Sequence, residues 1–172
     1  MRLVYPSEKY LNSYREFFNE YKSNNIVTYK LDDPDEVDVI KKSNDRRHGK
    51  NIKPNRVPKT TYWLVDRCEV VGQVVVRHKL NNDLLSYGGH ISYCVKFGMW
   101  GNGVGTKMLA KALKKAREIG LDRVLITCDN DNFGSAKVIE KNGGVFENIV
   151  DNIIDEKPIK TKRYWINLTN CK

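Results

Sequence analysis

Residues 101–106 read Gly-Asn-Gly-Val-Gly-Thr, three glycines at a spacing of two. They lie where an apolar run with Ile91, Tyr93 and Val95 gives way to a strongly helical pattern. Glycine has no Cβ, so the chain turns tightly there and its N–H groups come close to a ligand. The first turn of a helix leaves further N–H groups unpaired, and the helix dipole favours an anion at that end. Gly101, Asn102, Gly103, Val104, Gly105 and Thr106 are therefore candidates to hold a phosphate-bearing ligand. Two common phosphate loops fail on spacing. A Walker loop needs Lys then Ser or Thr after its last glycine, whereas Gly105 is followed by Thr106-Lys107. A dinucleotide fingerprint needs G-x-G-x-x-G near the start of a βαβ unit, whereas this loop is G-x-G-x-G and lies a hundred residues in.

Groups able to move protons are few. His90 and Tyr93 fall on the strand that leads into the loop, and His78 ends the strand before it. Histidine titrates in the useful range, although a strand-end histidine and a core tyrosine are also ordinary structural residues. Arg77 offers a planar fork to a carboxylate, or is a strand-edge cation. The four cysteines, Cys68, Cys94, Cys128 and Cys171, are widely separated and form no C-x-x-C pair, which disfavours zinc. No metal site is expected. Cys94 and Cys128 read as small buried residues, a pattern that suits a reducing cytoplasm.

The elements that must position these groups follow from periodicity. Ser7 predicts a helix to about residue 22, with Tyr10, Leu11, Tyr14, Phe17, Phe18 and Tyr21 on a buried face. Asp33-Pro34 predicts a second short helix anchored by Val37 and Ile40, followed by a long polar loop over 42–58. Two strands, 61–65 and 70–76, form a hairpin, and a third begins near His90. The helix over 104–119 stops at Gly120, a strand spans 123–128, and a helix over 132–142 stops at Gly143-Gly144. Strands at 145–149 and 162–168 pair across a turn at 151–160. The fold class is α/β, with a mixed, mostly antiparallel sheet flanked by helices.

The order strand, glycine loop, helix, strand, Asn, helix, glycines, strand resembles the cofactor half of the GNAT superfamily of N-acyltransferases. Gly103 and Gly105 match the small positions of its Gln/Arg-x-x-Gly-x-Gly/Ala loop, and Trp100 stands where Gln or Arg is usual. Asn132-x-x-Ser135-Ala136 with Asn142-Gly143-Gly144-Val145-Phe146 is similar to the family's Asn-x-x-Ala…Gly-Phe segment. Arg77 to Asn81 followed by Gly88 to Ile91 resembles a subgroup of predicted acetyltransferases. The resemblance covers about residues 60 to 168. It implies a sheet splayed at an acetyl-coenzyme A site. Backbone near Val95 would bond the pantetheine arm, 101–106 the pyrophosphate, and Asn132 and Ser135 the cofactor. It implies acetyl transfer to a primary amine by direct transfer within a ternary complex. The tyrosine many members carry seven residues after the Asn is Ile139 here. The alternative is an inactive acyl-coenzyme A sensor.

At 172 residues the chain fits one domain, 1–172, with a full core. No apolar run approaches the ~18 residues of a membrane span, and the first residues lack a signal-peptide pattern. A cytoplasmic location is expected. Net charge is +9, which suits an anionic coenzyme and also draws nucleic acid, but no nucleic-acid motif accompanies it. The expected partner is a small-molecule or peptide amine, with no membrane; a homodimer is left open.

Overall fold

The computed structural model describes residues 1–26, 31–154 and 156–169. Cys171 lies outside the described residues. Seven strands form one sheet in the order β1-β2-β3-β4-β5-β7-β6. They are β1 Arg2–Val4, β2 Lys59–Asp66, β3 Glu69–Arg77, β4 Ile91–Val95, β5 Arg123–Asp129, β6 Val145–Ile154 and β7 Lys157–Asn167. Among the described residues, four α-helices flank it: α1 Leu11–Ser23, α2 Val39–Arg47, α3 Val104–Glu118 and α4 Phe133–Lys141. All neighbours are antiparallel except β4 and β5.

The sheet is covered on both sides, so β2 and β3 are apolar without alternation. Successive side chains still point to opposite faces. Tyr62 and Leu64 join a core with Met108, Leu109 and Ala112 of α3 and Ile139 of α4. Trp63 and Val65 join a second core with Tyr14, Phe17 and Tyr21 of α1. Of the face read from α1, Tyr10, Tyr14, Phe17 and Tyr21 are buried, with Tyr14 stacked on Trp63 at 4.5 Å between ring centres, while Leu11 and Phe18 are half-buried.

The sequence misplaces several boundaries. A 3-10 turn, Glu8–Tyr10, precedes α1, and Ser7 makes no side-chain cap. The second helix starts at Val39, not at Pro34: Asp33 spends its carboxylate on the Asp35 amide in a turn, and Asp38 caps the helix through the Ile40 and Lys41 amides. Residues 39–47 are therefore helical where a loop was expected to begin at 42. The β6–β7 ladder continues to Ile154 and Lys157, so most of the expected turn at 151–160 is strand. β1 carries no sequence signal beyond three residues and is held by β2. Among the described residues no helix is long and apolar enough to cross a membrane, and no cluster of His, Cys, Asp and Glu could hold a metal ion.

Candidate active site

β4 and β5 run parallel but pair at one register position, Ile91 with Ile126. Beyond it towards Val95 and Asp129 they part, and the sheet opens as a V. The closed end is fastened by His90. Its N–H donates to Leu125 O at 2.7 Å, and its ring Nδ1 accepts from the Leu125 N–H at 2.9 Å. A side chain thus replaces a ladder carbonyl. Gly89 is required beside it: its φ is +60°, and a Cβ would lie 2.7 Å from Leu125 O. The imidazole is 7% exposed. Burial first, then the cations Arg77 and Arg123, push its pKa down to about 4. At neutral pH the ring is uncharged with its proton on Nε2. The sequence made His90 a candidate base; the fold commits its ring to the strand junction instead. His78 is also committed, through Nε2 to Thr60 Oγ1 at 2.8 Å.

At the open end, a 3-10 turn Phe97–Met99 leads into the glycine loop. Gly101 and Gly103 have φ of +78° and +73°, and nothing lies within 4 Å of a Cβ built on either. Gly103 is the N-cap of α3 and offers no side chain. The amides of Val104, Gly105 and Thr106 precede the first bond of the helix, Lys107 N–H to Gly103 O at 3.1 Å. The result is a bared turn with space above it, a fit for a diphosphate. Asn142 ties that turn to α4 through Nδ2 to Thr106 O at 3.2 Å and Val138 O at 2.8 Å.

Trp100 finds an internal role. Its indole N–H donates to Val95 O at 2.8 Å, and the Tyr21 hydroxyl donates to the same oxygen. Both lone pairs of that carbonyl are then used. Two internal donors thus occupy the Val95 carbonyl.

Between the two ends, Tyr93, Cys128, Asn132 and Ser135 line a cleft of about 1170 Å³. The Tyr93 hydroxyl and Ser135 Oγ share a hydrogen bond of 3.0 Å. Burial raises the Tyr93 pKa, so the phenol stays protonated at neutral pH. Burial likewise pushes the Cys128 thiol up to about 11, which leaves it a poor nucleophile. Asn132 Oδ1 accepts from the Ser135 amide at 2.9 Å and so caps α4.

Two charged residues of the cleft were missed in the sequence. Asp129 ends β5, and burial followed by Asp131 raises its carboxyl above the usual range. Lys59 begins β2 at the far side; burial first, then Arg46 and Arg77, push it down to about 8. Neither belongs to a motif. Only the register brings them to one cleft.

The comparisons agree with this geometry. A family model described as an acetyltransferase (GNAT) domain matches residues 4–145. The microcin C7 self-immunity acetyltransferase MccE, solved with acetyl-CoA and AMP, superposes with a TM-score of 0.72 at 20% identity, over 96% of this chain and 91% of that one. The ribosomal-protein-S5-alanine acetyltransferase from Vibrio fischeri gives 0.70 at 15%, over 99% and 93%. The putative acetyltransferase yncA from Salmonella typhimurium, solved with acetyl-CoA, gives 0.67 at 11%, over 98% and 94%. No curated protein matches the sequence significantly. With a family match over most of its length and a sheet that parts between β4 and β5 above a bared glycine turn, the chain belongs to the GNAT acetyltransferase family.

Proposed function

We propose that this chain is an acetyl-CoA-dependent N-acetyltransferase that moves an acetyl group to a primary amine by direct transfer within a ternary complex. The observation that carries the reading is the V between β4 and β5, which opens onto the unpaired amides of the α3 first turn. Solved relatives of the same fold hold acetyl-CoA, which supports it as the donor. The diphosphate would rest on the amides of 101–106, and the Asn132 NH₂ would bond the pantetheine region. Bound acetyl-CoA supplies a thioester whose carbonyl carbon accepts the amine.

The residues of the chain then have distinct tasks. Asp129 takes the proton of the incoming amine, directly or through one water, because its raised carboxyl pKa makes it a stronger base. Tyr93, held by Ser135, donates to the departing thiolate and replaces the acid missing at Ile139, which is fully buried. Cys128, protonated and weakly nucleophilic, favours direct transfer over an acyl-cysteine path. Calorimetry with coenzyme A and acetyl-CoA tests the donor site; absence of binding at millimolar ligand rejects it. A panel of amines followed by thiol release then tests turnover. The sensor reading draws on Ile139 and Trp100, the two departures from the family pattern, and turnover of any amine eliminates it.

A further inference from the structure

The end of the cleft beyond the V carries Arg46, Arg56, Lys59 and Arg77, with Asp32 and Asp83 also in its lining. Lys59 and Arg77 are direct cross-strand partners on β2 and β3, so their side chains share one face, and both line the cleft. Like charges placed opposite each other on a sheet destabilise it. Arg46 and Arg56 add to the positive field felt by Lys59. The acid nearest in effect, Asp32, is already bridged by Lys42 at 2.8 Å and by Arg46. Among the described residues no carboxylate forms an ion pair with Lys59. Arg77 is fixed in place by Nη1 donating to Gly88 O at 3.0 Å and Gly89 O at 3.1 Å. Two cations are thus held opposite each other in the wall of a cleft.

The register sets where they stand relative to the reaction. Val76 pairs with Ile91, the residue at which the V closes. Arg77 N–H donates to His90 O one residue further on. The glycine loop lies past Val95, at the opposite end of β4. The cationic pair is therefore not the diphosphate site. It faces the part of the cleft left for an acceptor.

We propose that the acceptor is a small amine that carries a carboxylate or a phosphate on the same molecule, and that Lys59 and Arg77 hold this anion. The proposal rests on the acetyl-transfer reading for the amine and on the cross-strand pair for the anion. An anion seated between Lys59 and Arg77 is attracted by both charges. A polyamine brings further positive charge to the same wall and is disfavoured.

The anion site is tested by calorimetry with inorganic phosphate and, separately, acetate, on wild type and Lys59→Met saturated with coenzyme A. Both proteins are first matched for circular dichroism; Lys59→Arg serves as the charge-retaining control. The expected result is at least tenfold weaker anion binding in Lys59→Met and recovery in Lys59→Arg. Tighter phosphate than acetate assigns a phosphate acceptor, and the reverse a carboxylate. Equal affinity in wild type and Lys59→Met overturns the proposal, as does no anion binding to either. The amine is tested by thiol release with 2-aminoethyl phosphate against ethanolamine, β-alanine against its amide, and spermidine. An anionic amine preferred at least tenfold in kcat/KM over its neutral counterpart supports the proposal; spermidine as the best acceptor overturns it. Failure of coenzyme A to bind rejects acetyl transfer instead; the phosphate comparison, repeated without coenzyme A in a Gly103→Val background that fills the glycine turn, still decides the anion site.

Discussion

Acid should loosen this fold at one identifiable place, the His90 junction between β4 and β5. The ring accepts the Leu125 N–H through Nδ1 at 2.9 Å and is 7% exposed. Protonation removes that acceptor and buries a charge beside Arg77 and Arg123. The imidazole pKa falls from its ordinary 6.5 to about 4 in the folded chain. Between those values the unfolded chain binds the proton and the folded chain resists it. Stability from this group is full above pH 6.5 and is lost as pH falls toward 4. From pH 7 to 4.5 the loss comes to roughly 2 to 2.5 kcal/mol. His90→Ala removes the titration but orphans a buried amide, costing about 1–3 kcal/mol at pH 7 together with lost packing. Urea unfolding followed by circular dichroism at pH 7 and 4.5 measures both effects. Asp32 also titrates: burial raises it, Lys42 and Arg46 outweigh that, and its contribution falls with acid in both proteins. The difference between wild type and variant isolates His90. Equal acid losses in the two proteins would refute the junction role.

Three other substitutions probe the site. Gly103→Val places a β-branched residue at φ +73° with open space around it; stability should fall by about 1–2 kcal/mol, while calorimetry shows coenzyme A affinity lost at least ~tenfold as the diphosphate cradle fills. Tyr93→Phe keeps the ring and removes the donor shared with Ser135; stopped-time thiol release should show kcat down roughly a hundredfold with the KM for acetyl-CoA little changed. Trp100→Phe deletes one of two donors to Val95 O and should cost about 1 kcal/mol in urea unfolding.

The cofactor half was legible in the sequence because each part has a local cause. Gly101 and Gly103 adopt the positive φ that only their lack of Cβ makes cheap. Asn132 caps α4, and the α3 stripe through Met108, Leu109 and Ala112 is buried as its period demands. The acceptor half was not legible. Lys59 and Arg77 are separated by a hairpin and meet only through register. Asp129 is an ordinary strand-end acid until β4 parts from β5. His90 looked like a base because isolated histidine has the right pKa; its function in the ladder depends on a partner, Leu125, 35 residues away. Trp100 looked like a defect in the loop because its partner, the Val95 carbonyl, lies at the strand end.

The acceptor wall and the missing family acid bear on the same chemical problem. A lysine-like amine with pKa ~10.4 is neutral to less than one part in a thousand at pH 7. Every unit by which the cleft lowers that pKa raises the reactive fraction about tenfold. Lys59 records the field at the cationic end, because burial and its neighbours Arg46 and Arg77 bring it down to about 8. In the proposed reading, an anionic tail on Lys59 and Arg77 gives the acceptor a reason to stay but offsets the field of those cations at its nitrogen. Burial, the first cause of the Lys59 shift, is what disfavours the ammonium form there, and Asp129 takes the proton. A polycation meets repulsion at its bound end. Charge selection of the acceptor thus falls to the pairing of Lys59 with Arg77 across β2 and β3, and activation of its nitrogen to desolvation and Asp129.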